Sequence, residues 1–246
     1  MIKIAGISKS FGSTIVLSDL SFDVPDGSTT ALLGLSGSGK TTLLKLVCGL
    51  HFPDAGEISI SNEVLQSGNL DALRKKMGYV IQDGGLFPHL TAYANLAIVG
   101  EEVGFSKSDI VKRIQELAEL TKISGTVLSR YPREISGGQK QRIGIMRALF
   151  LDPPILLLDE PFGALDPITR SQLQSDLKEI FRKMRKTVLL VTHDLFEAGF
   201  LAERILLLNH GQIAQAGTLR ELIEKPADDF VKLFVSSHHL IMESSI

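Results

Sequence analysis

ALLGLSGSGKTTLLKLVC, Ala31 to Cys48, passes from an apolar strand through a glycine loop into a helix. Its middle fits G-x-x-x-x-G-K-[ST], in the context that motif needs. Leu32 and Leu33 lead in from a strand, and from Thr41 to Cys48 the apolar residues fall at helical spacing. Gly34, Gly37 and Gly39 leave backbone N–H groups free to wrap phosphate oxygens with no Cβ in the way. Leu35, Ser36, Ser38 and Thr42 complete the cradle. Lys40 brings a point charge to the outer phosphates, and the Thr41 hydroxyl suits Mg2+. The helix start adds free donors and a favourable partial charge. Taken alone, the loop marks a nucleoside triphosphate binder and leaves kinase, GTPase and ATPase open.

Two further stretches narrow that choice. ILLLDEP, Ile155 to Pro161, is an apolar strand ending on an acidic pair. Asp159, at the strand's C-terminal end, is placed to hold Mg2+ directly or through water. Glu160, one residue on, is placed to polarise an attacking water as a general base. Such a pair favours hydrolysis over transfer to a second substrate. ISGGQ, Ile135 to Gln139, opens a helix with apolar positions at Ile143, Met146, Leu149 and Phe150. Ser136 reads first as an N-cap. A cap needs one hydroxyl, however, and not Gly137 and Gly138 behind it; bare N–H groups at a helix start form an anion site. One nucleotide needs one cradle. A second cradle of different design points to a nucleotide held by another copy of the chain.

Around these motifs the pattern is strand-rich up to Leu33, with short alternating strands including Ser21–Val24 and Ser28–Leu33 broken at Pro25-Asp26-Gly27. Strands are expected again at Glu57–Ile60 and Gly78–Gln82. From about Leu90 to Leu151 the pattern turns helical, with polar caps at Ser106 and Ser108 and a stripe through Ile110, Ile114, Leu117 and Leu120. Alternation then returns: strand Ile155–Leu158, helix Ile168–Arg185, strand Thr187–Thr192, helix Leu195–Ala202, strand Ile205–Leu208. Thr218 and Glu221 form a capping box. Apolar runs separated by helices predict a mostly parallel sheet covered on both sides. The fold expected is α/β: a P-loop NTPase core, an N-terminal antiparallel β part and an inserted helical subdomain. It makes one domain over residues 1–246, with the core at 1–89 and 151–225, the helical subdomain at 90–150 and a tail at 226–246.

A net charge of −2 argues against a generic nucleic-acid binder. The longest apolar runs fall far short of the roughly 20 residues that span a bilayer, and the N-terminus has no signal core. With Cys48 as the only cysteine, no disulfide forms within the chain and a reducing compartment is expected. His51, His89, His210, His238 and His239 show no metal-ligand spacing, and the basic run Arg182 to Lys186 reads as the decorated end of a helix.

The set GLSGSGKTT, Gln82, ISGGQ, ILLLDEP, Ala164-Leu165-Asp166 and His193 resembles the nucleotide-binding subunit of an ABC transporter, in the right order over residues 1 to about 225. Leu35 stands where Pro is common and Ile135 where Leu is common, leaving the chemistry intact. The resemblance implies ATP and Mg2+ as ligands. It makes Phe11 the ring that stacks on adenine, and Gln82 a contact to Mg2+ and the attacking water. Ser136, Gly137, Gly138 and Gln139 become the signature that grips a nucleotide held by a second copy. Asp166 joins the two sites, and His193 contacts the γ-phosphate, completing a catalytic set with Glu160 and Gln82. GGLFPHLTAYANL, Gly84 to Leu96, is similar to the importer segment that docks a membrane permease, with Pro88, His89 and Leu90 as contacts within Gln82–Leu90. Phe162 to Gly199 resembles the ATPases of quaternary-amine importers for glycine betaine or choline; another solute, or a non-transport ABC ATPase, are the alternatives. Many members of that branch continue into paired regulatory domains, whereas this sequence ends at Ile246. The expected setting is peripheral, on the cytoplasmic face of a bacterial inner membrane, with a substrate-binding protein as an indirect partner.

Overall fold

The computed structural model describes residues 1–163 and 165–243. The chain divides into two compact units, Met1–Leu73 with Thr187–Ile246, and Arg74–Lys186. In the first, β1 (Ile2–Phe11) and β2 (Thr14–Val24) form an antiparallel hairpin turned at Gly12, whose φ is +59°. The short strands expected here are instead two long ones interrupted by bulges. The register slips where Gly6 (φ +62°) and Asp19 (φ +49°) leave the extended conformation, so the alternation breaks while the pairing continues. β3 (Thr29–Gly34) runs through the glycine loop into α1 (Lys40–Val47). β4 (Ala55–Ile60) returns to pair antiparallel with β1, and β5 (Glu63–Val64) with β4; the short α2 (Leu70–Arg74) follows.

The second unit opens with β6 (Met77–Val80). The strand expected over Gly78–Gln82 ends at Val80: Gln82–Gly85 is a 3-10 turn in which Asp83, Gly84 and Gly85 all take positive φ. The helical stretch comprises α3 (Ala92–Glu102), α4 (Lys107–Leu120), α5 (Gly125–Leu128) and α6 (Gly137–Leu149). Ser106 caps α4 by accepting from Asp109 N–H, but Ser108 is inside the helix, its hydroxyl paired with that of Ser106. β7 (Ile155–Asp159) is buried along its whole length and parallel to β6. α7 (Pro167–Met184) ends where Arg185 turns left-handed at φ +48°. Lys186 does not decorate that end. It is buried, with Nζ donating to the Asp152 carboxylate at 2.6 Å.

The chain then re-enters the first unit through β8 (Thr187–Thr192), α8 (Leu195–Leu201), β9 (Arg204–Asn209), β10 (Gln212–Gly217), α9 (Leu219–Glu224) and α10 (Asp229–Glu243). β3 lies between β8 and β9, parallel to both, and β10 adds antiparallel to β9. Every residue of β3 and β8 is buried, as parallel strands covered on both faces require. Ala31, Leu33, Ile205 and Leu207 on one face meet Leu195 and Ala198 of α8, Leu222 of α9, and Val231, Phe234 and Val235 of α10. Each such large side chain contributes about 1.5–3 kcal/mol on burial. No helix among the described residues is long and apolar enough to cross a membrane.

Candidate functional site

In the first unit, Leu33 pairs with Thr192, so Gly34 and His193 leave the same end of adjacent parallel strands. This is the end at which open α/β sheets hold ligands. The loop between Gly34 and Lys40 packs tightly. A Cβ on Gly34 would lie 2.6 Å from the Leu208 carbonyl oxygen, and one on Gly39 would lie 2.5 Å from Leu17 Cδ2. Gly39, at φ +102°, is the N-cap of α1 and offers no side chain to the first-turn N–H groups. Lys40 is buried, its Nζ donating at 2.8 Å to the carbonyls of both Gly34 and Leu35. Ser38 Oγ is buried in the loop without a hydrogen-bond partner. A bare helix start, a fixed cation and an orphaned hydroxyl fit a chain of phosphates.

Phe11 closes β1 with its ring 46% exposed, edge-on to His51 at 5.5 Å and beneath Lys9 Nζ at 5.4 Å. A core Phe would be covered, and Phe11 is not. His193 is exposed. Its backbone is held on both sides, since Asp194 N–H donates to Thr192 Oγ1 at 3.1 Å and the Asp194 carboxylate caps α8. Its own carbonyl lies 2.9 Å from His238 Nε2.

In the second unit, Val80 pairs with Leu158, so Gln82 and the Asp159–Glu160 pair follow the same end of two parallel strands. Asp159 is buried, and Tyr79 Oη donates to its Oδ2 at 3.4 Å. Glu160 sits in the left-handed region at φ +45°, a conformation that non-glycine residues adopt at a cost of order 1 kcal/mol or more. Gln82 is exposed on its turn, and that turn is pressed against α6: a Cβ on Gly144 would come 2.8 Å from Gly84 Cα, and Arg147 donates to the Gly84 carbonyl at 3.2 Å.

Ser136 and Gln139 hold one another in a capping box. Ser136 Oγ accepts from Gln139 N–H at 3.3 Å, and Gln139 Oε1 accepts from Ser136 N–H at 3.0 Å. Ser136 and Gly137 are exposed; Gly138 is buried because Thr169 leaves no room for a side chain, with Cγ2 2.5 Å from where a Cβ would stand. Asp166 N-caps α7 and is held below its ordinary carboxyl pKa by its hydrogen bonds with Thr169. Ala164 lies outside the described residues. Glu160, Gly137 and Asp83 line one cavity of about 320 Å3 with Lys140, Gln141 and Leu165.

Two residues of this region escaped the sequence reading. Gln141 is buried in the cavity wall with its Nε2 unpartnered. Asn95, fully buried on α3, accepts from Phe87 N–H and donates to the carbonyls of Phe87, Leu90 and Thr91, fixing the loop that exposes Phe87, Pro88 and His89. The available signal for Asn95 was a lone amide among the apolar residues of an otherwise ordinary helix.

The sequence model of the family described as ABC transporter matches residues 17–163. The glycine betaine uptake system ATP-binding protein YehX of Escherichia coli is 43% identical over 98% of this chain and 78% of its own length. The choline transport ATP-binding protein OpuBA of Bacillus subtilis is 41% identical over the whole chain, which spans 65% of OpuBA, less than two thirds. Among solved structures, a dimeric MJ0796, described as a bacterial ABC transporter cassette, superposes with a TM-score of 0.81 at 34% identity, covering 89% of this chain and 99% of that one. A post-hydrolysis state of that cassette, dimeric and bound to ADP and Pi, matches with a TM-score of 0.81 at 33% identity over the same shares of the two chains.

Proposed function

We propose, from the premise that this chain belongs to the ABC transporter family, that it binds and hydrolyses ATP to drive an importer. One observation carries the reading. It is the pair of helix starts of different design, the bare start of α1 and the capped start of α6, where Ser136 and Gly137 are exposed. The first serves the chain's own nucleotide: Gly34 to Thr42 wrap the phosphates, Lys40 turns from the loop carbonyls to the outer phosphates, and the Phe11 ring stacks on adenine. The second is a half-site. Ser136, Gly137, Gly138 and Gln139 grip the γ-phosphate of a nucleotide on a second copy, and Asp166 links the two sites.

Thr41, Asp159 and Gln82 would hold Mg2+, which keeps several waters and takes few protein ligands when it binds with phosphates. Bound there, it would neutralise charge on the phosphate oxygens. Glu160 takes the proton of the attacking water, Gln82 orients that water, and His193 holds the γ-phosphate in line. The Gln82–Leu90 segment, exposed at Gln82 and from Phe87 to His89, docks a permease on the cytoplasmic face of a bacterial inner membrane, with Pro88, His89 and Leu90 as contacts. A substrate-binding protein then delivers the solute on the other side. YehX and OpuBA support a quaternary amine such as glycine betaine or choline as that solute.

The experiment is phosphate release by the purified chain in ATP and Mg2+, with Lys40→Ala lowering turnover by at least about 100-fold. Turnover equal in both proteins would defeat the reading.

A further inference from the structure

We propose that His238, on the C-terminal helix α10, is a positioning residue for hydrolysis that holds the peptide of His193 in place. The inference rests on the role given to His193 above. His193 occupies one residue between two anchored elements, the end of β8 paired to β3 and the capped start of α8. The peptide that follows His193 joins these two elements, and its carbonyl lies 2.9 Å from His238 Nε2. The other ring nitrogen, Nδ1, lies 2.8 Å from the Phe234 carbonyl one turn back on α10.

Both neighbours are carbonyl oxygens, which only accept. A neutral imidazole has one N–H and satisfies one of them; the imidazolium has two and satisfies both. The two-ended bridge is therefore a property of the protonated ring. The ring also packs against Phe234, tilted by 34° with centroids 4.5 Å apart, and Phe234 is buried in the cluster that joins α10 to α8 through Leu195 and Ala198. His238 thus has a rigid base and a defined reach.

The elements packed around the ring carry other titratable groups. Asp194, beside His193, has its carboxylate committed to the cap of α8. Glu197 on α8 accepts from the Thr192 hydroxyl. On α9, Glu221 is bonded to Thr218 and Glu224 to Arg220. Lys232 on α10 is exposed.

The test is ATP turnover of the purified full chain. H238Q should lower kcat about fivefold with KM for ATP unchanged within about twofold. L233A, which changes an exposed residue of the same helix, should keep wild-type turnover; a loss equal to that of H238Q would assign the effect to α10 as a whole and overturn the proposal. Should H238Q lower the unfolding midpoint, H238F, which keeps the packing against Phe234, decides. The same loss of kcat supports the bridge, and wild-type turnover overturns it. H193A separates the two levels. If it leaves turnover intact, the role of His193 falls and this inference with it. If H193A is inactive while H238Q matches wild type, this inference alone falls.

Discussion

At the scale of single residues, the proposed phosphate cradle depends on backbone that no side chain could occupy. Gly39 joins β3's loop to α1 at φ +102°, with Leu17 Cδ2 at 2.5 Å and the Val16 carbonyl at 2.9 Å from any added Cβ. Gly39→Ala meets strain and overlap together, so it should destabilise the protein by about 2–3 kcal/mol and abolish ATP binding. Thermal unfolding and fluorescent-nucleotide titration measure the two effects; an unshifted midpoint with normal binding would remove the steric argument. The need for glycine at this position was legible, because the motif's spacing carries it. The left-handed backbone of Glu160 was not, since a Glu there has the same letter whatever its φ. Nor was the link from His238 to His193, which are 45 residues apart in the chain.

At the scale of elements, α4, α6 and α7 are tied by one buried carboxylate. Asp176 accepts from Lys122 at 2.7 Å, from Arg142 at 2.6 Å and from Gln172 at 3.0 Å, while Arg142 also donates to the Thr121 carbonyl at 2.8 Å. Burial pushes the Asp176 pKa up, but Lys122, Arg142 and Gln172 together outweigh it and hold the pKa below the ordinary carboxyl value of 3.8. A carboxylate lowered on folding contributes stability that is fully present above its unfolded pKa and is lost as pH falls through the folded one. Asp176→Asn should therefore cost about 2–4 kcal/mol near neutral pH, with the gap to wild type closing below about pH 4. Urea unfolding at a series of pH values measures it, and a gap independent of pH would contradict the network's ionic character. Other element-level features were partly legible. The buried runs of β3, β7 and β8 announced themselves by composition. The turn at Gln82–Gly85 did not, because the apolar residues before it continue the strand pattern until three successive positive φ angles end it. β10 and α10 also went unread. IAQAG in β10 lacks the β-branched density of its partner, and α10 carries paired serines and histidines that mask the stripe of Val231, Phe234 and Val235.

At the scale of the whole molecule, each cradle has a helix start of its own, and only the one at α1 has its cation in place within the same loop. At the start of α6 Ser136 and Gly137 are exposed and the capping box occupies the N–H groups of Ser136 and Gln139, so drawing those two groups to a phosphate means opening their bonds to a stronger acceptor. In the proposed assembly a nucleotide brought by a second copy supplies that acceptor, and hydrolysis removes it. Assembly should therefore follow the lifetime of bound ATP. The most direct measurement is the mass in solution, by light scattering, of Glu160→Gln with ATP and Mg2+. The account predicts a stable dimer that reverts to the nucleotide-free state when ATP is removed, with phosphate release reduced by at least about 100-fold. A variant that binds ATP and remains monomeric at every protein concentration tested would contradict it.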